Sequence, residues 1–513
     1  MSENPYRFRL PSTWAWATLA EITEVIRGSS PRPKGDPRYF GGDIPWIMIS
    51  DVSREPGKYL TQTREGVTPA GAERSRLLQP GALILSNSGT VCVPKILRVA
   101  GCIHDGFVTF PTLSSEISKD YLYHWFHFIR PRVIQANKQG ITQVNLNTDI
   151  VRELPVPLCP LPEQHRIVEK IEELFSDLDA GVASLERAKA NLKRYRASVL
   201  KSAVEGRLTE EWRKEHPQTE DGQMLLDRIL RERRDKWEKD QLAQFKKKGK
   251  EPPKNWQSKY EEPSVPNTSE LPKLPEGWGW ATVGMLCGYV TSGSRGWAEY
   301  YSDEGGVFLR IGNLDHGTIR LDMRRIQHVR APVGAEAERT AVRPGDILVS
   351  VTADVGMIGL APIDVGEAYI NQHISLCRPE QGFSRDYLAW CLTSDLGQRQ
   401  FKAMQRGATK VGLGLDDVKA TAIPLPPLAD QEQIVALIEE RLSQIDSAEK
   451  TIEAELIRSK RLRQSILKRA FEGKLVPQDP KDEPASVLLE RIKVSREAEQ
   501  PKKIKKVKKV KTK

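Results

Sequence analysis

The chain is written twice. Leu10-Pro11-Ser12-Thr13-Trp14-Ala15-Trp16-Ala17-Thr18 recurs 264 residues later as Leu274-Pro275-Glu276-Gly277-Trp278-Gly279-Trp280-Ala281-Thr282. Pro80-Gly81-Ala82-Leu83-Ile84-Leu85-Ser86 recurs at the same offset as Pro344-Gly345-Asp346-Ile347-Leu348-Val349-Ser350. Further on, Gly140, Thr142, Val144, Leu146 and Asp149 match Gly407, Thr409, Val411, Leu413 and Asp416 at 267. An ordered tandem repeat of this kind demands two copies of one fold, so 513 residues are one unit used twice rather than several unrelated domains.

Each copy ends in a long helical segment. From Glu163 to Glu205 no proline occurs, and Gly181 is the one interior breaker. Ile171, Leu178, Leu185, Leu192 and Val199 fall seven residues apart, and Ile167, Leu174, Gly181, Ala188 and Tyr195 form a companion series. Together they predict the 3.5-residue seam of a coiled coil. In the second copy Ile438, Ile445, Ile452 and Ile466 keep the period, with poorer companions at Arg441, Glu455 and Arg469. Pro162 suits a helix start, and Gly206 and Gly473 suit C-terminal caps. About 43 residues at ~1.5 Å each give a helix of roughly 64 Å. That length corresponds to ~19 base pairs of duplex. Equal lengths favour antiparallel pairing within one chain; an oligomerisation coiled coil is the alternative.

A shorter element repeats as well. Leu225-Leu226-Asp227-Arg228-Ile229 resembles Leu488-Leu489-Glu490-Arg491-Ile492, and lysines follow each: Lys246 to Lys250 with one glycine, then the C-terminal tail. The expected organisation is a globular domain over 1–158, a long helix over 159–208 and a linker over 209–273, with a helix near Met224–Phe245 and a proline-rich stretch. A second globular domain over 274–426, a second long helix over 427–475, and a short helix with a lysine-rich tail over 476–513 complete it.

Both copies carry, in order, Leu-Pro-x-x-Trp-x-Trp, a β-branched run (Ile44-Pro45-Trp46-Ile47 in the first), Pro-Gly-x-x-Leu/Ile and Gly-x-Thr. Each closes on a proline-rich entry to the helix, plainest at Ile423-Pro424-Leu425-Pro426-Pro427-Leu428 before Gln431, Ile434 and Val435. This paired order, over about residues 10–475, resembles the specificity subunit of type I restriction–modification systems. The resemblance implies an α+β fold: two similar α/β target-recognition domains separated by two long helices that form an intramolecular antiparallel coiled coil, pseudo-twofold symmetric. It also implies that each domain reads one half of a split site in double-stranded DNA. The helices would fix the gap and dock two methyltransferase (modification) subunits, which restriction/translocase subunits join to make an ATP-dependent nuclease. S-adenosylmethionine, ATP and Mg would bind those partners and none of them this chain. The alternative is a coiled-coil scaffold that binds protein partners only.

The residues themselves offer no catalytic set. Gly57-Lys58, Gly249-Lys250 and Gly473-Lys474 lack the spacing and the hydroxyl residue of a phosphate loop, and neither G-x-G-x-x-G nor H-E-x-x-H occurs. The six cysteines are scattered without a C-x-x-C pair, which predicts neither a zinc site nor a disulfide framework and points to a reducing cytoplasm. No apolar run of membrane-spanning length occurs, and Met1-Ser2-Glu3-Asn4-Pro5 has no signal core.

DNA contact is expected on polar loops, because Arg pairs with guanine and Asn or Gln with adenine at base edges. The first copy offers Arg32 and Lys34, then Ser86, Asn87 and Thr90, then Gln139, Thr142, Gln143 and Asn145. The second offers Ser294 and Arg295, then Thr352, then Arg406, Thr409 and Lys410. His104-Asp105 and Gln372-His373 occupy comparable positions and suit structural or DNA-contact roles. The tryptophan pairs are expected in the core. The net charge of +10 comes from 78 basic and 68 acidic residues, and the last thirteen residues hold eight lysines and no acid. The remaining 500 residues carry only +2, so weak non-specific DNA affinity is expected of the body.

Overall fold

The computed structural model describes residues 7–137, 145–406 and 412–499. It divides into two compact units, one of Met1–Leu185 with Ala454–Lys513 and one of Glu186–Glu453. Each unit holds one globular domain and a piece of both long helices, which run unbroken over Leu161–Val204 and Leu428–Phe471.

In the first unit, strands Ile26–Arg27, Phe107–Thr109, Leu83–Ser86, Pro94–Leu97 and Tyr59–Leu60 lie side by side in that order. A second sheet runs Glu65–Val67, Phe40–Ile47, Gly101–Ile103, Arg76–Leu78. The Trp-x-Trp strand Ala15–Thr18 pairs with Pro155–Leu158 just before the long helix. The second unit repeats the plan. Its sheets run Cys287–Ser292, Ile374–Pro379, Ile347–Ser350, Ile358–Leu360 and Tyr301–Ser302, His328–Val329, Gly306–Leu309, Ala368–Ile370, with a ribbon of Gly279–Thr282 on Ala422–Leu425.

The shared motifs prove to be joints between domain and helix. Trp14 Nε1 donates to Glu163 Oε2 at 3.0 Å, and its repeat mate Trp278 Nε1 donates to Asp430 Oδ2 at 2.9 Å. Burial pushes both carboxyls above their ordinary pKa. Gln164 accepts from Ser118 N and donates to Cys159 O; Gln431 does the same with Ser384 N and Pro426 O. Trp14 and Trp16 pack in the core, as expected, with Trp16 6.1 Å from Trp125.

Within each unit the helix segments run antiparallel. In the first, Ile167 and Ile171 share a core with Ile466, Leu467, Ala470 and Phe471, and Asp179 pairs with Arg463. In the second, Val199, Leu200 and Ala203 share a core with Ile434, Ile438, Leu442 and Ile445, while Lys189 pairs with Glu453 at 2.9 Å and Arg196 with Asp446. A fully buried Ile contributes about 1.5–3 kcal/mol, so the apolar ends carry most of the pairing energy. Leu178, Leu185 and Leu192 are only half-buried, and Ile452 is buried.

The companion seam holds in part. Ile167 is buried and Leu174 and Ala188 are half-buried, but Gly181 and Tyr195 are exposed, and Phe175, Val182, Lys189 and Arg196, one residue later, are half-buried as well. In the second helix Leu442 and Leu456, not Arg441 and Glu455, stand beside the isoleucine series as its apolar companions. A period of seven allows a companion at either three or four residues from the first seam. The first helix uses both spacings: Leu174 and Ala188 are half-buried, while Arg196 meets Asp446 and Phe175 lies under Arg463, 4.3 Å from ring to guanidinium.

The helix ends explain two glycines. Gly206 and Gly473 take φ of +71° and +67°, and a Cβ there would lie 2.4 Å from Pro275 and Pro11 respectively. The Leu-Pro of each repeat is therefore the lid of a helix C-terminus.

The duplicated short helices dock in equivalent places. Gly222–Lys247 lies on the second domain, with Leu225, Leu226 and Ile229 in its core and Gly222 N bonded to Gly277 O at 2.7 Å. Ala485–Glu499 lies on the first, with Leu488, Leu489 and Ile492 in its core and Ala485 N bonded to Thr13 O at 2.9 Å. Arg233 donates to Gly284 O and Arg496 to Ala20 O, again repeat mates.

Candidate nucleic-acid interface

The polar loops singled out from the sequence converge at one edge of each domain. In the first, Gly28 N bonds Phe107 O at 2.9 Å, Asn87 N bonds Gly106 O at 2.9 Å, and Leu146 N bonds Asn87 O at 2.8 Å. The loops around residues 27–34, 86–93, 104–106 and 145–147 are thereby laced together. In the second, Gly293 N bonds Ile374 O, Val351 N bonds His373 O, and Leu413 N bonds Val351 O, so the corresponding four segments meet again.

The loop after the central strand has one skeleton in both domains. Ser86 Oγ donates to Thr90 O and accepts from Val93 N; Ser350 Oγ donates to Asp354 O at 2.6 Å and accepts from Met357 N at 2.8 Å. Gly89 and Ala353 take φ of +65° and +64°, and Cys92 and Gly356 take +57° and +94°. The side chains differ, outward at Thr90 and Asp354 and inward at Asn87 and Val351.

Several candidates face outward. Arg32 is exposed with Nη2 3.8 Å from Asp105, and Lys34, Thr90, Asn145, Arg295 and Arg406 are exposed. Arg406 pairs with Asp417 at 2.9 Å. Thr352 is half-buried, its hydroxyl 2.5 Å from His373 Nδ1. Three candidates turn inward, contrary to expectation. Ser86 is fully buried with its hydroxyl spent on the loop, Asn87 is 3% exposed, and Ser294 is 3% exposed and accepts from Arg339 at 2.9 Å. These three shape the loops rather than present a group to DNA. Gln139, Thr142, Gln143, Thr409 and Lys410 lie outside the described residues.

The edge of the first domain is cationic. Arg27, Arg32, Lys34, Arg74 and Arg76 are all exposed, and the loops that carry them are tied together: Ser29 Oγ donates to Arg74 O at 3.0 Å, Ser75 Oγ to Ser29 O at 2.7 Å, and Arg76 Nε to Arg27 O at 3.3 Å. Arg74 and Arg76 were not among the sequence candidates, though the Arg-Ser-Arg triplet was there to see. Asp105 sits among these cations. Burial works against its charge, but the Ser30 hydroxyl, His104, Arg27 and Arg32 hold its carboxyl below the ordinary range. His104 is held low by burial and by Lys34, Arg32 and Arg27. Its Nδ1 accepts from Gly106 N at 2.9 Å, which the neutral ring alone can do. The edge of the second domain carries Arg295, Thr352, Gln372, His373 and Asp354, the last bonded to His316 at 2.9 Å. Among the described residues it is rich in hydrogen-bonding groups, and its exposed cations are Arg295 and Arg406.

Among the described residues no group of His, Cys, Asp and Glu is placed to hold a metal, and no helix is long and apolar enough to cross a membrane. All six cysteines are free and buried.

Duplicated domains with a common loop skeleton and divergent loop tips, joined to paired long helices, define a class of two-headed reader. The type I restriction modification DNA specificity domain model matches residues 11–187 and 335–458. The chain belongs to the family of type I restriction–modification specificity subunits, whose work is recognition of a DNA target. It is 26% identical to the Escherichia coli EcoBI specificity subunit over 76% of this chain and 75% of that one. To the EcoKI specificity subunit of Escherichia coli K12 it is 24% identical over 96% and 98%. Among solved structures, one described as the structural basis of complex assembly and conformational transition of the type I R-M system superposes with a TM-score of 0.66. It is 20% identical and covers 91% of this chain and all of that one. The HsdS subunit of Thermoanaerobacter tengcongensis superposes at 0.50, with 21% identity over 93% of this chain and all of that one.

Proposed function

We propose that this chain reads a bipartite site in duplex DNA, one half with each domain, and directs partner subunits to modify or cut it. The observation that carries this reading is the pair of loop edges with one hydrogen-bonded skeleton and different outward groups. Arg32, Lys34, Thr90 and Asn145 stand on the first edge, and Arg295, Thr352 and Arg406 on the second; these are the base- and phosphate-contacting candidates. Gln139, Thr142, Gln143, Thr409 and Lys410 remain candidates by sequence. The long helices would set the number of base pairs between the half-sites and dock two methyltransferase subunits, through which restriction/translocase subunits join. S-adenosylmethionine, ATP and Mg would be bound by those partners, in the cytoplasm, and this chain would contribute selection rather than chemistry.

The test is a domain exchange. Replacing residues 10–155 with the corresponding domain of another specificity subunit, and mapping modified bases genome-wide, should change one half of the site and leave the other intact. A scaffold that binds only proteins would leave both halves unchanged, and that result would end the proposal.

A further inference from the structure

The linker that follows the first long helix carries a cluster of lysines. Residues 241–259 hold six lysines (Lys246, Lys247, Lys248, Lys250, Lys254 and Lys259) against one acid, Glu251. Lys246, Lys247, Lys248 and Lys250 are exposed at the end of the linker helix Gly222–Lys247. This end is built into the unit. Trp256 stacks on Trp237 at 5.8 Å and meets Phe245 at 6.4 Å, and Tyr260 meets Trp237 at 5.3 Å, so the chain after the lysines folds back onto the helix.

The direction of the helix places that end. Successive turns of the helix advance along the chain from Gly284 toward the start of the strand Cys287–Ser292. Arg233 reaches Gly284 O, Lys236 lies 3.3 Å from Glu380, whose N bonds Leu286 O, and Asp240 lines a cleft of about 770 Å³ with Gly288 and Tyr289. Two more turns, about 10 Å at ~1.5 Å per residue, bring the helix to Lys246 and Lys247. Three more strand residues, also about 10 Å, bring the strand to Ser292, where the reading loop begins. A helix that keeps this direction would bring the lysines level with the reading edge of the second domain, on its flank.

We infer that the lysine-rich end of the linker helix grips the DNA sugar-phosphate backbone beside the half-site of the second domain, adding to the cations Arg295 and Arg406 on that domain's own edge. Exposed lysines are suited to this, as point charges that release condensed counterions without reading sequence. The chain builds the arrangement twice: the helix Ala485–Glu499 takes the equivalent seat on the first domain, and the sequence after it carries eight lysines. The inference rests on the proposed DNA-reading function.

The test uses the full chain, alone and assembled with its modification subunits, in which Lys246, Lys247, Lys248 and Lys250 are all changed to Gln. Binding is measured against salt on a random-sequence duplex and on one carrying the site found by modified-base mapping. The slope of log affinity against log salt should fall by about 0.9 for each phosphate that is no longer neutralised, so by roughly 2 or more. Affinity should drop by the same factor on both duplexes, and the footprint should retreat on the flank of the half-site that the second domain determines. The Lys→Arg variant should keep slope and footprint. Unchanged slope and footprint would overturn the inference, as would failure of subunit assembly with DNA binding unaltered, which would mark an acidic protein partner instead. If the unsubstituted complex shows no preference for any sequence, the DNA-reading function itself fails, a result distinct from these.

Discussion

The two reading domains keep the same backbone and spend their side chains differently. Ser86 and Ser350 brace their loops with matching pairs of hydrogen bonds, and Gly28 and Gly293 allow matching close approaches. Yet among the described residues the first edge gathers Arg27, Arg32, Lys34, Arg74 and Arg76, while the second presents Arg295 and Arg406 among Thr352, Gln372 and His373. The comparison separates two kinds of residue within one loop. The bracing serines and the close-approach glycines hold the shape and match; the outward groups, proposed to choose the bases, differ.

The largest effects should come from the shared skeleton and be equal in the two copies. A Cβ at Gly28 would lie 2.2 Å from His104 O, and one at Gly293 2.0 Å from Asn371 O, both backbone atoms that cannot step aside. Gly28→Ala and Gly293→Ala should each destabilise their unit by about 2–4 kcal/mol in chemical unfolding. Tolerance in one copy alone would break the equivalence. Next come Ser86→Ala and Ser350→Ala. Each strands a buried amide, Val93 N or Met357 N, and should cost about 1–3 kcal/mol.

Outward groups should behave oppositely. Arg32→Ala should leave stability within roughly 0.5 kcal/mol. On target DNA it should weaken recognition of one half-site by on the order of 1 kcal/mol, and Arg295→Ala that of the other half, as measured by binding to duplexes altered in one half only. If Arg32→Ala acted on both halves alike, the division between the domains would be wrong.

The smallest effect is a pH dependence peculiar to the first domain. Folding holds His104 below its ordinary value of 6.5, so the unfolded chain takes up a proton more readily. Stability from this residue is present above pH 6.5 and falls as pH drops through that value toward the lower folded pKa. His104→Gln should flatten the stability profile below pH 6.5 by a fraction of a kcal/mol in unfolding titrations.

Much of this was legible in the sequence because it rests on local periodicity. The heptad of Ile171, Leu178, Leu185, Leu192 and Val199 marked the first long helix, and the offset matches marked the second domain. The companion seam was legible at Ile167, Leu174 and Ala188 but not at Tyr195, because a seven-residue period permits either neighbour and only Asp446 across the pair decides between Tyr195 and Arg196. Ser86 and Ser294 were misread because a loop serine looks the same whether its hydroxyl faces water or the backbone. Arg74 and Arg76 were missed because nothing local brings them to a loop some 45 residues earlier; the Ser75 and Ser29 hydrogen bonds do that.

The duplication, the helices, their caps and the family could all be read from the chain before any folding, because they depend on residues near one another or on matched spacing. Where the duplicated pieces go is a matter of tertiary structure. The linker helix settles on the second domain and the C-terminal helix on the first, each burying two leucines and an isoleucine that no local partner could cover. Tertiary packing also selects which polar groups of each loop are consumed within the fold and which are left for DNA, because a hydroxyl or amide is committed only by the non-local backbone atom it meets.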